Sequence, residues 1–288
     1  MIIYTAADLQ NKLDKERAKG HTIGFTPTMG ALHDGHGALV KLSMVRNDVS
    51  VVSIFVNPTQ FNEESDLVSY PRTLKADEKL LNKLGKVIIY APSPVDVYPK
   101  ALDTSVDVDL GGLDDEMEGA FRPGHFEGVV QVVNRLLDIV NPTQLFMGQK
   151  DFQQFTIIQK MIDELEIPTR LVVVPIQRQE DGLAMSSRNV RLLPEDKSKA
   201  VIIYKTLKAI KRKKSKLTPK ECIDYAMKRC DLDGFRPEYF DIADGYTLKP
   251  IKSWDDHKYV VCCCAVWAGE VRLIDNMIMK KPRSLRLY

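Results

Sequence analysis

The sequence lacks the long apolar run that a membrane-spanning helix requires. Such a helix needs roughly 18 or more consecutive apolar residues, and no stretch of the 288-residue chain reaches that length. The amino terminus also lacks the charged and then apolar pattern of a secretory signal peptide. We therefore expect a soluble cytoplasmic protein with no membrane partner.

A strong excess of charge of one sign is also missing. Lysine and arginine number 41 and aspartate and glutamate 39, so the formal net charge is only +2. A balance this even does not favour nucleic acid or an anionic membrane as an obligatory partner. The stretch 200–216 is rich in lysine, but acidic residues elsewhere offset it, and we interpret it as a solvated helix face.

Cysteines are few, and none form a C-x-x-C pair. They are Cys222, Cys230 and the consecutive residues 262–264. Neighbouring residues of a strand point to opposite faces, so three consecutive thiols cannot meet at one metal ion. The pattern favours small buried apolar residues in a reducing compartment.

The glycine-rich phosphate loops of Rossmann dehydrogenases and P-loop enzymes are absent too. In their place, residues 29–36 read M-G-A-L-H-D-G-H and follow a short apolar run at 21–25 that is typical of a buried parallel strand. His33 and His36 would share one side of the first turn of the following helix, where backbone amides and the helix dipole favour anions. The motif therefore predicts a nucleotide phosphate site. Histidines at this spacing also occur as surface residues or metal ligands, but a zinc site would want a glutamate in the motif and a third ligand.

Strand-like runs alternate with helical periodicity as far as residue 176. We predict strands at 49–56, 86–90, 144–147 and 170–174, and helices at 74–84, 128–139 and 152–166. This alternation indicates an α/β fold with a parallel sheet, in which ligands bind at the carboxyl ends of the strands. Polar clusters follow the predicted strands in turn: H-x-G-H, residues 57–61, residues 148–151 and the loop 178–188. We expect these clusters to converge on one edge of the sheet.

The character of the sequence changes after about residue 177. Helices are predicted at 200–216 and 219–229, followed by strands near Phe240 and Val260. The chain is therefore expected to form two domains, a Rossmann-like domain at 1–176 and a smaller α+β domain at 177–288.

Seven ordered motifs resemble the pantoate-β-alanine ligase (pantothenate synthetase) family of cytidylyltransferase-like nucleotidyl transferases. They are PTMGALHDGH (27–36), FVNPTQF (55–61), YPRT (70–73), EGAFRPGHFEGV (118–129), MGQKDFQQ (147–154), DGLAMSSRN (181–189) and VRLIDN (271–276). The motifs cover both halves of the chain, whereas H-x-G-H alone would indicate only a nucleotidyl transferase.

The resemblance implies a ligase that condenses pantoate with β-alanine at the expense of ATP. Pantoate would attack the α-phosphorus of ATP to give pantoyl adenylate and pyrophosphate, and the amine of β-alanine would then displace AMP. Magnesium would be carried mainly by the ATP phosphates, without a dedicated protein site. The family also implies a homodimer, with the smaller domain closing over the nucleotide.

The resemblance assigns roles to particular residues. It implies catalytic roles for His36 (the proton donor), His33, Lys150 and Arg188. The implied ATP contacts are Met29, Gly30, His33, His36, Gly148, Lys150, Asp151, Gln177, Met185, Ser186, Ser187 and Arg188. The implied pantoate contacts are Gln60 and Gln154, with Asn57 in support, and Gln60 would also contact β-alanine.

Some positions stay open or depart from the family pattern. Residues 62–69 are the candidate flap over the site, although an ordinary solvated loop is equally consistent with them. Arg122 and His125 are interpreted as structural. Gln149, Gln131 and Gly37 stand where the family usually has Glu, Thr and a larger residue.

Two alternatives remain at this point. One is another adenylyl- or cytidylyltransferase, which would release pyrophosphate without an amine acceptor. The other is a nucleic-acid-binding protein that uses the lysine-rich helix, whose binding would be salt-sensitive and would survive His36→Ala.

Overall fold

The structure, a computed structural model, describes residues 1–61 and 64–282 and contains a six-stranded parallel sheet. The sheet order is β1-β4-β3-β2-β5-β6. Its strands are β1 (Ile2–Ile3), β2 (Ile23–Thr28), β3 (Val49–Ile54), β4 (Ile88–Tyr90), β5 (Gln144–Gly148) and β6 (Arg170–Val174). The predicted α/β fold with a parallel sheet is confirmed.

Helices connect these strands and cover the sheet. They are α1 (Ala6–Arg17), α2 (Asp34–Arg46), α3 (Glu64–Ser69), α4 (Leu74–Leu84), α5 (Pro94–Val97), α6 (Glu118–Phe121), α7 (His125–Val140) and α8 (Phe152–Glu164), with a 3₁₀ helix at Pro58–Gln60. Within the ranges described, no helix is long and apolar enough to cross a membrane.

The C-terminal part of the chain adds two helices and a second sheet. A 3₁₀ helix at Ser187–Arg191 precedes α9 (Pro194–Lys213) and α10 (Pro219–Cys230). An antiparallel sheet follows, in the order β7 (Phe235–Asp244), β8 (Val260–Ala268) and β9 (Val271–Lys280). This confirms the smaller α+β unit predicted after the parallel sheet.

The antiparallel sheet packs on both of its faces. One face, including Tyr239, Val261 and Cys263, joins the core of the parallel sheet. The opposite face, including Phe240 and Cys262, packs with α9 and α10. The five cysteines are all free and buried, as the sequence predicted. The two sheets therefore share a continuous apolar core.

Helix α2 packs directly on β2 because Gly24 has no side chain. A Cβ at Gly24 would lie 2.3 Å from Ser43 Oγ and 2.6 Å from Asn47 Nδ2. This close contact holds the C-terminal end of α2 against β2.

Most predicted elements lie where the pattern placed them, with shifts at their ends. Helix α4 and strand β6 have the predicted bounds, and α7 begins three residues earlier than predicted. Neither β1 nor α1 is predicted from the sequence, since β1 has two residues and α1 buries only Leu9 and Leu13 among its apolar residues. The first two residues of the candidate flap, 62 and 63, lie outside the described residues, and the rest belong to α3.

Candidate active site

A cavity of about 220 Å³ lies at the carboxyl edge of the parallel sheet. Its lining comes mainly from the segments that follow β2, β3, β5 and β6, together with residues 129–136 of α7. Strands β2 and β5 are neighbours, and the chain order reverses between them, which is the position where open α/β sheets bind ligands. A second cavity of about 450 Å³ extends from this edge to the antiparallel sheet. Both cavities are lined by Met29, Gln60, Lys150, Asp151, Gln154, Ser186 and Arg188.

The H-x-G-H motif forms a capping box at the start of α2. His33 is the N-cap, and its Nδ1 accepts the Gly35 amide hydrogen at 3.1 Å, while His36 Nδ1 accepts the His33 amide hydrogen at 3.3 Å. Since Nδ1 is the acceptor in both neutral rings, the proton lies on Nε2. Each imidazole therefore holds the backbone with one nitrogen and has an Nε2–H group available for a ligand in the cavity.

Gly35 is required by this cap. A Cβ at position 35 would lie 2.7 Å from His33 Cε1 and 2.8 Å from His33 Nδ1. Any larger residue would push the His33 ring away from the helix start. The glycine of the motif is thus explained by the backbone contact of the first histidine.

Both rings are neutral at pH 7. Burial lowers the pKa of His36 to about 3, with the neighbouring His33 as the next cause. Burial also lowers the pKa of His33, and Lys150 adds to the effect. The rings lie 4.1 Å apart between centroids. A polyanion bound beside them would oppose these shifts, because an opposite charge favours the protonated form.

The loop after β5 brings a lysine to the same rim. Lys150 is mostly buried, with a side chain 17% exposed, and its Nζ lies 3.4 Å from Asp151 Oδ1. Gly148, where β5 ends, faces open space, since a Cβ at this position would have no neighbouring atom within 4 Å. The loop therefore offers a ligand a cation, a carboxylate and open space beside Gly148.

The loop after β6 returns to the cavity through a short antiparallel contact. Met185 N donates to Gln177 O at 2.9 Å, and the Gln177 side-chain amide donates to Pro175 O at 3.1 Å. Ser186 caps the 3₁₀ helix that follows, since its Oγ accepts the Arg188 amide hydrogen at 3.2 Å. Two serines and an arginine thereby join the histidines in the lining of the cavity.

Three amide side chains occupy the neighbouring wall. Gln60 Nε2 donates to Met29 Sδ at 3.0 Å, and its Oε1 accepts from Asn57 Nδ2 at 3.3 Å. Asn57 is only 1% exposed; its amide also donates to Gly128 O at 3.2 Å, and its Oδ1 accepts from the Tyr98 hydroxyl at 2.9 Å. The half-buried Gln154 amide has no hydrogen-bond partner among the described residues. Gln60 and Gln154 thus face the cavity, and Asn57 supports Gln60 from below.

The structure brings together all but one of the predicted site residues. Gly30 is the exception, because it lies beneath the cavity and not in its lining. It adopts φ +85°, and a Cβ there would lie 3.0 Å from Ile54 and 3.1 Å from Asp77. The predicted site residues that line the first cavity are Met29, His33, His36, Asn57, Gln60, Gly148, Lys150, Asp151, Gln154, Gln177, Met185, Ser186, Ser187 and Arg188.

Sequence reasoning missed Asp77, which holds the turn before the histidines. Asp77 is 2% exposed and accepts the amide hydrogens of Ala31 at 3.1 Å and Leu32 at 2.8 Å. Ala31 needs this support because it adopts a left-handed φ of 49°. A signal was present in the sequence, since Asp77 lies four residues before Leu81 on the apolar side of α4.

Sequence reasoning also left His125 outside the site, although it contacts the Gln60 segment. Its Nδ1–H donates to Gln60 O at 2.8 Å, and its Nε2 accepts from Arg122 Nη1 at 3.1 Å. Burial, and next the Arg122 charge, lower its pKa to about 4. His125 is therefore a neutral bridge between the R-P-G-H loop and the segment that carries Gln60.

The fold and this cavity define an α/β protein of the Rossmann-like class with a ligand site at the carboxyl edge of its parallel sheet. A family model described as pantoate-beta-alanine ligase matches residues 1–278, so the chain belongs to that family. The pantothenate synthetase of Bacteroides thetaiotaomicron is 47% identical over 283 residues, covering 97% of this chain and 99% of the relative. The predicted enzyme class, a ligase, is confirmed.

Two solved structures are similar to this one along most of the chain. The pantothenate synthetase of Thermus thermophilus is 38% identical with a TM-score of 0.89, covering 97% of this chain and 99% of that chain. The pantoate-beta-alanine ligase of Francisella tularensis, solved in complex with beta-gamma ATP and beta-alanine, is 35% identical with a TM-score of 0.79 and 97% coverage of both chains.

Proposed function

We propose that this chain condenses pantoate with β-alanine to give pantothenate, AMP and pyrophosphate through a pantoyl adenylate. The observation that carries the proposal is the convergence of two groups on one cavity. Cation and N–H donors for a triphosphate line it, together with amide side chains that suit a small hydroxy acid. The relative from Francisella tularensis was solved with an ATP compound and beta-alanine together, which supports the same pair of ligands here.

In the first half-reaction, a pantoate carboxylate oxygen attacks the α-phosphorus of ATP. The bond from that phosphorus to the bridging oxygen breaks, and pyrophosphate leaves. Negative charge builds on the departing phosphates, and His33, His36 and Lys150 are placed to stabilise it. Arg188 and the hydroxyls of the preceding serines complete this set of donors. Removing one preorganised donor of this kind costs roughly 2.7–4 kcal/mol in the transition state.

The amide side chains would bind pantoate. A thioether is a weak acceptor, so Gln60 can exchange its Met29 contact for a substrate oxygen, and Gln154 has its amide available. Helix α7 contributes Val129, Val132 and Val133 to the cavity. This apolar surface matches the dimethyl carbon of pantoate, while the amides match its hydroxyl and carboxylate groups.

In the second half-reaction, the free amine of β-alanine attacks the acyl carbon. The bond between that carbon and the phosphate oxygen breaks, AMP leaves, and the amine gives up a proton. The second cavity adjoins the first at Gln60 and Arg188, so an amine can reach the adenylate from that side. In this proposal the residues at 177–288 cover the intermediate, because excluding water protects an acyl adenylate from hydrolysis.

The proposal includes Mg²⁺ bound to ATP. Among the residues with described side chains, no group of three or more His, Cys, Asp or Glu residues could hold a metal ion. Phosphate oxygens and water suit Mg²⁺ as ligands, and Asp151 is the one carboxylate that the described residues contribute to the cavity lining. The ion supplies charge neutralisation on the triphosphate when it is bound.

A cytoplasmic location and a homodimer complete the proposal. The five buried thiols suit a reducing compartment. The dimer rests on the family resemblance, and light scattering coupled to size-exclusion chromatography measures it directly.

Transfer of ¹⁸O tests the proposed reaction. Pantoate labelled in its carboxylate is incubated with MgATP, β-alanine and the protein, and the products are analysed by mass spectrometry. One labelled oxygen appears in AMP if a pantoyl adenylate forms. Label in phosphate, or formation of ADP, would overturn the adenylate route, and pyrophosphate release without an amide product would favour the transferase alternative.

A further inference from the structure

We infer that Asn276, together with Asp275, is a positioning residue. The pair fixes the loop that carries Lys150 relative to the 178–188 loop. The inference rests on the proposed function, because it assigns the pair a task in the adenylation half-reaction. Both residues lie on β9, in the antiparallel sheet and not in the nucleotide-binding sheet. The C-terminal unit would then build part of the phosphate site as well as cover it.

The Asn276 side chain donates hydrogen bonds to the backbone carbonyls of two consecutive residues, Gln149 and Lys150. Its Nδ2 donates to Gln149 O at 2.9 Å and to Lys150 O at 2.8 Å. Its Oδ1 accepts from Gln149 Nε2 at 3.1 Å. Asn276 is 2% exposed, and Gln149 is 8% exposed. One buried amide therefore uses both donor hydrogens and its acceptor to fix the loop that presents Lys150.

Asp275 ties the second loop to the same point. Its carboxylate accepts from Arg178 Nη1 at 2.6 Å and Nη2 at 2.9 Å. The same carboxylate accepts the Asn276 amide hydrogen at 2.8 Å. Arg178 also donates to Gly182 O at 3.1 Å, and its guanidinium lies 4.1 Å from the centre of the Tyr204 ring. Arg178 is thus clamped at the start of the loop that carries Ser186 and Arg188.

These contacts form one continuous path between the two phosphate-facing loops. It runs from Lys150 through Asn276 and Asp275 to Arg178, and each link is a direct hydrogen bond. No other residue of the described chain donates a side-chain hydrogen bond to Lys150 O. Loss of the Asn276 side-chain amide would leave the buried Gln149 carbonyl and the partly buried Lys150 carbonyl without this donor, and buried carbonyls need partners. The loop would have to move to recover hydrogen bonds from water.

The two half-reactions depend differently on this arrangement. Adenylation needs Lys150 against the phosphates, whereas the amine step starts after pyrophosphate has left. A displacement of about 1 Å in a positioning element can cost on the order of 10²-fold in rate. Asn276→Ala should therefore slow adenylation by that factor and slow the amine step by much less. A general loss of folded protein would reduce both steps by one common factor.

The experiment measures both half-reactions in Asn276→Ala and in a matched control. Asn47→Ala removes a buried asparagine that is 9% exposed and donates to Ser43 O and Gln144 Oε1, at the other end of α2 from the cavity. Pantoate-dependent pyrophosphate–ATP exchange reports adenylation, and conversion of synthetic pantoyl adenylate with β-alanine reports the amine step. The expected result is a selective loss of exchange in Asn276→Ala and no selective loss in Asn47→Ala. Equal loss of both steps, or no loss, would overturn the inference.

A double-mutant cycle tests whether Asn276 acts through Lys150. Asn276→Ala is combined with Lys150→Ala, and exchange is compared across the four proteins. If Asn276 works by placing Lys150, its substitution has little further effect once Lys150 is gone. If the loss of exchange in the double variant equals the product of the losses in the two single variants, the inference is overturned.

Failure of the proposed function would be seen separately, in the wild-type protein. It would show as no pantoate-dependent exchange from a protein that binds MgATP. The positioning role would then be read from calorimetric MgATP binding alone. Weaker binding in Asn276→Ala than in Asn47→Ala would support it, and equal binding would overturn it.

Discussion

At the scale of single residues, the H-x-G-H motif is a helix cap whose side chains do two jobs. The Nδ1 atoms of His33 and His36 satisfy backbone amides at the start of α2, and the Nε2–H groups remain for a ligand. A serine or aspartate can cap a helix equally well, but neither side chain offers a separate N–H donor to a ligand while its oxygen caps the helix. This explains why imidazole suits both positions of the motif.

Substitution of His36 tests its role at the phosphates. His36→Ala should lower pantoate-dependent adenylation by roughly 10²–10⁴-fold, the range typical of a lost acid–base or proton-donating group. His21→Ala is a suitable control, because His21 is bonded to Glu16 at 2.9 Å, away from the cavity lining. Pantoate-dependent exchange at a near-wild-type rate by a folded His36→Ala protein would contradict the role assigned to His36.

Two glycines of α2 form a matched pair for a second prediction. Gly35→Ala places a Cβ 2.7 Å from His33 Cε1, whereas a Cβ at Gly37 comes no closer than 3.6 Å to Leu84 Cδ1. Gly35→Ala should therefore slow adenylation, on the order of 10²-fold for a displaced imidazole. Gly37→Ala should keep the activity and stabilise the protein by up to ~1 kcal/mol, because alanine favours a helix interior.

Exchange assays and urea unfolding of both glycine variants check this prediction. Equal activity of the two proteins would contradict the explanation of the motif's glycine. If the prediction holds, the departure from the family pattern at position 37 has only a stability consequence.

The residues that line the cavity were the part of the site that could best be predicted from the sequence. Motif residues with free polar side chains line the cavity as predicted, and their individual roles stay predictions. Positioning residues were missed because their function depends on distant partners. Asp77 bonds Leu32, 45 positions away, and Asn276 bonds Lys150, 126 positions away. The pattern of α4 indicates that Asp77 is buried, but no local pattern identifies the distant partner of Asp77 or of Asn276.

At the scale of elements, helix α7 meets the 3₁₀ helix at 58–60 with almost no space between the backbones. A Cβ at Gly128 would lie 2.3 Å from Thr59 O and 2.8 Å from Gln60 Cα. The absence of a side chain at one position of α7 therefore decides where Gln60 stands in the cavity.

Gly128→Ala should separate these two elements and move Gln60. We expect the KM for pantoate to rise at least about tenfold, with a smaller change in the affinity for ATP, whose predicted contacts lie on other loops. Titration of each substrate in the exchange assay measures the split, with Gly37→Ala as the control. Equal weakening for both substrates would show that the change is global.

Elements were predicted well where a periodic pattern coincided with burial. Helix α4 is amphipathic and β6 is an apolar run, and both were located at their observed bounds. Helix α7 was predicted to start at Gly128, but it starts at His125 because the loop residue Gly124, with φ +78°, precedes it as the N-cap. Strand β9 was recognised only as a motif, since its pairing with β8 is a tertiary property.

At the scale of the whole molecule, buried neutral histidines make stability depend on pH. His125 is 7% exposed, and burial lowers its pKa to about 4, against about 6.5 in an unfolded chain. Between these values the unfolded chain binds a proton that the folded chain does not, so the free energy of unfolding falls as the pH drops from about 6.5 towards 4. Asp241 acts in the opposite direction, because burial raises its pKa to about 6.

Comparison with His125→Gln isolates the contribution of this histidine. Between pH 7 and pH 5.5 the wild-type protein should lose about 1 kcal/mol more stability than the variant, since Asp241 contributes equally to both. Urea unfolding at the two pH values measures the difference. A steeper loss in His125→Gln than in the wild type would contradict the neutral, buried state of the ring.

The α/β architecture was predictable because strands and helices have different periodicities. The C-terminal unit was predictable because the regular alternation of strands and helices stops after residue 176. The packing between the two units was not, because it depends on both faces of the antiparallel sheet being apolar. Tyr239 and Cys263 join the first core, while Phe240 and Cys262 join the second. The alternation that separates these faces is visible only once the register of β7 and β8 is known.

The central claim is that this cavity forms an acyl adenylate before any amine is bound. Pyrophosphate–ATP isotope exchange with magnesium and pantoate, in the absence of β-alanine, tests it most directly. We predict exchange that requires pantoate and proceeds without the amine. No exchange from a folded protein that binds MgATP would contradict the claim, and exchange without pantoate would indicate a different acceptor for the adenylyl group.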